Sequence, residues 1–566
     1  MKTTKSIARL AVTAGLTAAL SFGGVMAPVT MAFAEGTANG SVTIKNVEGN
    51  HTEFDGYQIF MADVATVEDK TVVSNITWAN DNVKAAVEGV IKDEEPTYSG
   101  KTAQDAADWI TDKVTGTNDA YCVGPDNIAY KIAAAVDDLT DKKTTSAGVA
   151  SGLEHGYWLF VTDAGNIGDG EAGSSPIFTV VGNTPVKVTE KTGIPTVEKK
   201  IVSDADGKEH DAADSQIGQD VTYNLYGTVA ENFDKYDTYF YQFSDQISKG
   251  LTLQSGAEVY LYDSVSDAKC DLTHKTGQKI TNNFNQSAET VDSTTGAKTT
   301  KWTCENLKYV SGITKQSCVV VSYKARINTD AIVAGTESND NTVILNYSNN
   351  PMDKDSKGQT PPDKVKDYTY GLKINKVDLG TETALDDAEF TIQATGADDD
   401  ASKGLYVQEG GSLGTDAHKF KTANGGVITV TGLDAGTYTV TEVSAPSGYA
   451  KVDPFTFEIK PTMKADDPGA GLTLLGSTLD PKNQNDKIIA GLTDGNSGDN
   501  KLTAKSDSEK DSDGTFNITV GNTKQINLPL TGLNGVTFTW IAGGAVLCVG
   551  VAHLIRSRKR DEGSEE

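Results

Sequence analysis

The chain carries many short runs of β-branched and aromatic residues, each followed by a turn rich in Gly, Asp or Asn. Such residues suit a pleated, half-buried strand, and the turn residues tolerate the backbone angles of tight bends. The 56 glycines agree with a large number of turns. The sequence therefore predicts a mainly β fold of stacked β-sandwiches. Typical runs are GSVTIKNV, VTYNLYGTV, CVVVSYKARI, NTVILNYS, YTVTEV and FNITV.

Two early segments depart from this strand pattern. In KTAQDAADWITDKV, residues 101–114, Ala107, Ile110 and Val114 recur at helical spacing. AYKIAAAVDDL, residues 129–139, predicts a second helix. The first part of the chain is therefore expected to be less purely β than the rest.

Two polar, Pro-bearing stretches, at residues 188–200 and 348–368, interrupt the strand runs. Such composition is typical of domain boundaries. They predict three domains, which span residues 35–190, 191–365 and 366–527.

The first 34 residues have the order of a secretory signal peptide. Basic residues come first, an apolar stretch follows, and Ala32-Phe33-Ala34 ends the segment in a small-x-small pattern. The sequence predicts export and cleavage after Ala34.

The opposite end combines three features in a fixed order. An uncharged apolar run, residues 535–555, has about the twenty residues that span a bilayer. Four basic residues follow within 556–560 and are expected to stay cytoplasmic. A pentapeptide lies just before the apolar run and consists of Leu528, Pro529, Leu530, Thr531 and Gly532. Its proline fixes φ and removes a backbone donor, which favours an extended segment that fits a protease-like groove.

Charge and motif content exclude other classes of protein. With 78 acidic and 50 basic residues the formal net charge is −28, so a nucleic-acid partner is not expected. We recognise no metal-ligand spacing and no Ser/His/Asp or Cys/His arrangement in the sequence. We therefore expect no metal, no cofactor and no enzyme activity toward an external substrate. For an exported chain, one disulfide among Cys270, Cys304 and Cys318 is predicted, with its pairing open.

The pentapeptide, the apolar span and the basic tail together resemble a Gram-positive LPXTG cell-wall sorting signal. In that family a sortase cysteine attacks the threonine carbonyl. The resemblance implies cleavage between Thr531 and Gly532, an acyl-enzyme through Thr531, and loss of the membrane segment. Localisation at the cell surface, with attachment to peptidoglycan, follows from it.

The third domain resembles the B-type repeat of Gram-positive collagen adhesins and the last domain of major pilins. The motifs are INKVD, TVTEV and VGNTK, in family order. The resemblance implies immunoglobulin-like sandwiches and an amide bond between Lys376 and Asn522, assisted by Glu442. The chemistry needs a neutral lysine and a protonated acid, and burial favours the uncharged form of each.

The second domain resembles the isopeptide-forming domain of fimbrial shaft proteins. The family's acid is usually an aspartate from a Thr-Asp-x-Leu-Ser-like turn, which points to Asp245 in SDQIS. Lys199 is the predicted lysine, with Lys200 as rival because neighbours on a strand face opposite sides. Asn341 is the predicted asparagine, at the start of what reads as the last strand of the domain. The alternatives Asn346 and Asn349 remain open.

The first domain resembles the N-terminal domain of the same pilins. Pilins of this class often carry a lysine motif at the following boundary, after a Val-x-Val strand. Here Val186-x-Val188 precedes Lys191, although the Tyr-Pro pair that usually comes before the lysine is absent. Lys191 is the predicted nucleophile toward the next subunit's acyl-enzyme, and Lys187 is the alternative.

These resemblances imply a structural shaft subunit of a covalent surface pilus. Its partners would be further copies of itself, pilin-type and housekeeping sortases, and peptidoglycan, with minor pilins and a host surface as further candidates. The alternative is a monomeric wall-anchored adhesin that binds a host ligand. Both are consistent with the sorting signal, and only the first needs an acceptor lysine.

Overall fold

Strands dominate the computed structural model, which confirms the mainly β fold class predicted from the sequence. No helix in the described part of the chain is long and apolar enough to cross a bilayer. The predicted span at residues 535–555 lies outside that part. The structure describes residues 39–45, 51–67, 70–113, 127–168, 170–189, 193–333, 338–397, 402–463, 472–479, 501–504 and 515–524.

In the described residues of the first module, which runs from 40 to 189, two sheets combine with three helices that pack on one of them. One sheet has the order β5-β1-β8, and the other has the order β3-β2-β6-β7 with β4 on β2. Its elements are β1 (Gly40–Lys45), β2 (Phe54–Val67), β3 (Lys70–Trp78), α1 (Asp81–Glu94), α2 (Ala103–Lys113), α3 (Ile128–Val136), β4 (Lys143–Thr144), β5 (Val149–Leu153), β6 (Gly156–Thr162), β7 (Ile177–Val181) and β8 (Val186–Thr189).

The helices α2 and α3 lie where the sequence predicted them. Helix α1 was not predicted, although it buries Val83, Val87 and Ile91 at four-residue spacing. Asn80 caps its N-terminus, because the side-chain oxygen accepts from the Val83 amide at 2.9 Å.

The middle module, residues 197–368, is a sandwich of two sheets. The first sheet has the order β10-β9-β12-β20-β15-β16 with β14 on β20. The second has the order β11-β23-β21-β13-β19-β17, with β18 on β19 and β22 on β21. The elements are β9 (Val197–Val202), β10 (Glu209–His210), β11 (Ala212–Asp214), β12 (Asp220–Thr228), β13 (Tyr241–Ile247), β14 (Leu251–Leu253), β15 (Glu258–Tyr262), α4 (Val265–Cys270), β16 (Gln278–Lys279), β17 (Asn285–Gln286), β18 (Thr290–Val291), β19 (Lys298–Cys304), β20 (Cys318–Ile327), β21 (Asn339–Ser348), β22 (Lys357–Gln359) and β23 (Asp363–Tyr368), with 3₁₀ turns at Phe233–Lys235, Thr281–Asn283 and Leu307–Tyr309.

The third module, residues 370–524, has a small and a large sheet. The small one has the order β29-β24-β34 and the large one β27-β26-β25-β30-β31-β32-β33, with β28 on β25. The elements are β24 (Tyr370–Asp378), β25 (Glu389–Ala397), β26 (Tyr406–Val407), β27 (Leu413–Gly414), β28 (Phe420–Lys421), β29 (Val427–Leu433), β30 (Gly436–Ser444), β31 (Phe455–Met463), β32 (Leu472–Leu479), β33 (Lys501–Ala504) and β34 (Thr515–Asn522).

Alternating burial explains how these strands build closed cores. Along β13, β21 and β24 nearly every second residue is buried, as the two-residue period of a strand requires. The inward-facing positions of the two middle sheets meet in one core that contains Phe243, Trp302, Tyr323 and Leu345. A polar residue at an inward-facing strand position is therefore buried in this core together with the apolar residues around it.

The middle and third modules are joined by a single buried residue. Strand β23 ends at Tyr368 and β24 begins at Tyr370, so only Thr369 lies between them, and its hydroxyl donates to the Leu433 carbonyl at 3.1 Å. The predicted boundary between residues 365 and 366 falls inside β23, which pairs with β21 of the middle module.

A loop after β11 adds further contacts across this junction. The buried side chain of Gln216 donates to the carbonyls of Gly411 and Gly432, and the Ile217 amide donates to Gly432 at 3.0 Å. Gly432 has φ +86, and a Cβ on it would lie 2.1 Å from Ile217 Cδ1. The absence of a side chain at this position therefore lets the modules approach closely.

This junction predicts a difference between two glycine substitutions. Gly432→Ala should destabilise the protein by about 1–3 kcal/mol more than Gly425→Ala, because only the first adds overpacking against Ile217. Gly425 has a similar φ of +96 with nothing within 4 Å of its Cβ position, so it controls for backbone strain. Chemical denaturation of residues 35–527 measures the stability of both variants. Equal losses of stability would contradict the close contact.

Candidate functional site

In the third module, a lysine, an asparagine and a glutamate meet inside the sandwich. Lys376 lies on β24 and Asn522 ends β34, and these strands run parallel in one sheet, with Lys376 opposite Val520. Glu442 comes from β30 in the facing sheet. All three are buried, and the two charged side chains are 0 % exposed.

The contacts in this cluster join all three side chains. Lys376 Nζ contacts Asn522 Oδ1 and lies 3.7 Å from Glu442 Oε1. The amide nitrogen of Asn522 donates to the same Glu442 oxygen at 2.9 Å. The other carboxyl oxygen accepts from the Val452 amide at 2.7 Å, which holds the acid in place.

The middle module contains a second cluster of the same kind. Lys199 lies on β9, Asp245 on β13 and Asn341 on β21, and all are buried. Lys199 Nζ contacts Asp245 Oδ1 and Asn341 Oδ1. The lysine is therefore placed against both the acid and the amide that the sequence paired with it.

The rival residues lie elsewhere. Lys200 Nζ contacts Asp211 at 2.6 Å and Glu198 at 3.1 Å, on the other face of β9. Asn346 donates to Gln242 at 3.2 Å, and Asn349 accepts from Ser356 at 2.7 Å. Of the named candidates, Lys199 and Asn341 are the pair that the structure brings together.

The two clusters differ in the sheets that supply their members. In the third module the lysine and the asparagine share a sheet and the acid faces them. In the middle module the acid and the asparagine lie on neighbouring strands and the lysine faces them. The prediction that Asn341 starts the last strand of its domain was wrong, because β22 and β23 follow β21 in the same sheet.

Aromatic rings enclose the middle cluster. Tyr323 stacks between Tyr223 and Trp302, with ring centroids 5.5 Å and 5.2 Å away. Lys199 Nζ lies 5.6 Å from the Tyr323 centroid. These rings exclude water from the amine, which favours its neutral form.

Burial lowers the pKa of both lysines. The pKa of Lys199 falls to about 8, although the charge of Asp245 opposes the shift. The pKa of Lys376 also falls to about 8, against the opposing effect of Glu442. A large share of each amine is therefore neutral near pH 8, and a neutral amine can attack a carbonyl carbon.

The sequence analysis missed Tyr323, whose hydroxyl reaches all three members of the middle cluster. It lies 3.1 Å from Lys199 Nζ, donates to Asp245 Oδ2 at 2.6 Å and accepts from Asn341 Nδ2 at 2.7 Å. The available signal was strand alternation in CVVVSYKARI, which turns Val319, Val321 and Tyr323 to the same side.

The remaining predicted residues are only partly described. Lys191 and the pentapeptide from Leu528 to Gly532 lie outside the described residues. The alternative acceptor Lys187 is exposed on β8, opposite Thr43 of β1.

The predicted disulfide among three of the cysteines is wrong. Cys304 and Cys318 are buried free thiols on strands of opposite sheets, and Cys270 is free and exposed on α4. Burial raises the pKa of Cys304 to about 11 and that of Cys318 to about 12, so both thiols stay protonated at neutral pH.

Comparison with known families gives a match to part of the third module. Residues 370–467 match the SpaA prealbumin-like fold domain. The match runs from β24 past β31, so it contains Lys376 and Glu442, and Asn522 lies beyond its end. No curated protein sequence matches the chain.

Several solved structures are similar to the chain. The T6 backbone pilin of serotype M6 Streptococcus pyogenes is 16% identical, with 86% of this chain and 98% of that chain covered and a TM-score of 0.48. The major pilin SpaD of Corynebacterium diphtheriae is 17% identical, with coverage of 86% and 98% and a TM-score of 0.43. BcpA, the major pilin subunit of Bacillus cereus, is 14% identical, with coverage of 86% and 99% and a TM-score of 0.35. The resemblance to major pilins predicted from the sequence is confirmed as a similarity by these matches.

The buried lysine of the third module predicts a pH dependence of stability. In a Glu442→Ala variant, Lys376 as a free amine loses the carboxylate that favours its charged form, so its folded pKa stays below the usual 10.5. At a pH between the folded-state and the unfolded-state pKa of Lys376, the unfolded chain binds a proton that the folded chain does not. Because Glu442 raises the pKa of Lys376 and is absent from the variant, the rise in the free energy of unfolding should begin below pH 8 and continue to about pH 10.5, by up to about 1.4 kcal/mol per pH unit.

Chemical denaturation across this range measures the slope. The control is Glu442→Ala combined with Lys376→Met, which lacks the titrating amine and shares every other group. Equal slopes in the two variants would contradict a buried amine with a lowered pKa.

Proposed function

We propose that this chain is the shaft subunit of a covalent surface pilus, cross-linked internally by Lys376–Asn522 and Lys199–Asn341 amides. The observation that carries the proposal is the pair of clusters in which a buried lysine touches a buried asparagine beside a buried acid. A buried lysine is costly unless it is neutral or paired. Two such lysines, each placed against a side-chain amide, favour a reaction over a purely structural role.

The reaction needs no external enzyme or co-reactant. The neutral amine of Lys376 attacks Cγ of Asn522, and Glu442 hydrogen-bonds the amide. One proton passes from the lysine nitrogen to the amide nitrogen, the Cγ–Nδ2 bond breaks, and ammonia leaves. A lysine–asparagine amide remains, and the acid ends the reaction in its starting state.

These bonds would protect the middle and third modules against pulling. The third-module bond joins residues 146 apart and the middle one residues 142 apart. Tension that enters on β24 would cross directly to the end of β34, which leaves the chain between them unloaded. By loop-closure entropy, a link across more than 100 residues also stabilises the folded state by about 5 kcal/mol.

The sorting signal supports the proposal that a sortase joins one subunit to the next. In the proposal, a pilin-type sortase forms an acyl-enzyme at Thr531 and transfers it to Lys191, or to Lys187, of another copy. A housekeeping sortase attaches the finished polymer to peptidoglycan. The chain is then a sortase substrate on the cell surface and not an enzyme toward other molecules.

Intact mass tests the internal bonds. Residues 35–527 should weigh less than the sequence requires by two losses of about 17 Da, one ammonia for each amide. Glu442→Ala and Asp245→Ala should each abolish one of the two mass losses, because each removes the acid of one cluster. The partly exposed acids Glu389 and Asp340, which lie outside both clusters, supply matched controls, and their alanine variants should keep both losses. A wild-type mass equal to the sequence mass would refute both bonds.

Gel electrophoresis of wall extracts tests polymerisation. With a pilin-type sortase present, the wild type should give a ladder of high-mass species that resists SDS, and Thr531→Ala should abolish it. Lys191→Ala should reduce the ladder to a monomer band, while Lys187→Ala should leave it unchanged. The reverse pattern would assign the acceptor to Lys187. A single wild-type band would instead support the monomeric wall-anchored adhesin.

A further inference from the structure

The two clusters hold the amide nitrogen of their asparagine in different ways. In the third module, Asn522 Nδ2 donates directly to a carboxyl oxygen of Glu442, at 2.9 Å. In the middle module, Asn341 Nδ2 donates to the phenol oxygen of Tyr323, at 2.7 Å. The phenol in turn donates to Asp245 Oδ2, at 2.6 Å.

Side-chain length accounts for this difference. Aspartate is one methylene shorter than glutamate, and Asp245 lies on β13 next to β21, the strand that carries Asn341. Asp245 Oδ1 contacts Lys199 Nζ, and the Tyr323 hydroxyl connects Oδ2 to the amide nitrogen. The phenol therefore occupies the position that a longer acid would reach by itself.

We propose that Tyr323 is a catalytic residue of the middle cross-link, in which its phenol relays a proton from Asp245 to the leaving nitrogen of Asn341. This inference rests on the proposed function, because it concerns the same Lys199–Asn341 bond. It assigns Tyr323 a chemical role beyond that of a buried aromatic side chain.

The relay balances in protons and electrons. The neutral Lys199 amine attacks Cγ of Asn341, with Asp245 in the protonated form that the chemistry requires. Both hydrogen bonds of the phenol then reverse, as Asp245 Oδ2 gives its proton to the phenol oxygen and the phenol gives its own to Nδ2. Asp245 Oδ1 takes the proton that the Lys199 nitrogen loses. The Cγ–Nδ2 bond breaks, ammonia leaves, and both Asp245 and Tyr323 end as they began.

The surroundings suit a relay that stays neutral. Tyr323 is 2 % exposed and stacks between Tyr223 and Trp302, so its ring is fixed. Burial first, and then the charge of Asp245, raise the pKa of Tyr323 well above its usual value. The phenol therefore keeps its proton until another is supplied, as a relay requires.

Tyr323→Phe keeps the ring and removes only the hydroxyl. The full chain is expressed, sampled over time and digested, and mass spectrometry quantifies the cross-linked peptide of each module. A positioned proton donor contributes roughly 10²–10⁴-fold, so the middle bond should form at least about tenfold more slowly. The third-module bond in the same sample should form at the wild-type rate.

The matched control is Tyr241→Phe. Tyr241 is also fully buried in the middle core, and its hydroxyl donates to the Thr228 carbonyl at 2.8 Å. This variant loses one buried hydrogen bond without touching the reacting groups, so both bonds should form as in the wild type.

A second variant separates chemistry from folding. Asp245→Glu added to Tyr323→Phe lengthens the acid toward the amide nitrogen, and it should restore the middle bond at least in part. Failure of this rescue would overturn the relay in favour of a structural role for Tyr323, as would a wild-type rate in Tyr323→Phe alone. Absence of both bonds from the wild type would instead overturn the proposed function, and the relay with it.

Discussion

The structure depends on how a sandwich core accommodates a buried lysine amine. Lys376 and Lys199 are both fully buried, each in contact with an asparagine side chain. Burial makes the charged amine costly and lowers its pKa, and the acid beside it only partly offsets this cost. The surrounding strands must therefore hold the amine, the amide and the acid together, because separation would leave a polar group alone in the core.

The two modules meet this requirement with different strand arrangements. In the third module the lysine and the amide are neighbours in one sheet, and a long acid reaches them from the facing sheet. In the middle module the amide and a short acid are neighbours, and the lysine faces them. The shorter acid requires a further group, and Tyr323 supplies a hydroxyl within 3.1 Å of all three. The chemistry thus sets which groups must meet, and the topology sets which strands supply them.

The junction between the middle and third modules fits a chain that carries tension. A one-residue connection at Thr369 and the buried contacts of Gln216 leave little freedom between the two sandwiches. In the proposed shaft, the middle cross-link would shorten the loaded path from Lys199 to Asn341, and β21 to β23 would transmit the load onward. In that shaft β23 would pass the load on to β24, to which it connects directly through the buried Thr369.

The sequence by itself determined the mainly β class, two of the three helices that the structure describes in the first module, and the residue types of both clusters. Strand alternation and motif order are local signals, so a lysine in INKVD or an aspartate in FSDQIS can be recognised without a fold. Helix α1 could also have been predicted from the sequence, since the Asn80 cap and the spacing of Val83, Val87 and Ile91 are local signals. Only the tertiary structure showed which of Asn341, Asn346 and Asn349 lies against Lys199, left Cys270, Cys304 and Cys318 unpaired, and brought Tyr323 to the middle cluster. Each of these depends on which strands become neighbours or face each other, and that is set by packing between strands, as for Lys199 and Asn341, which are 142 residues apart.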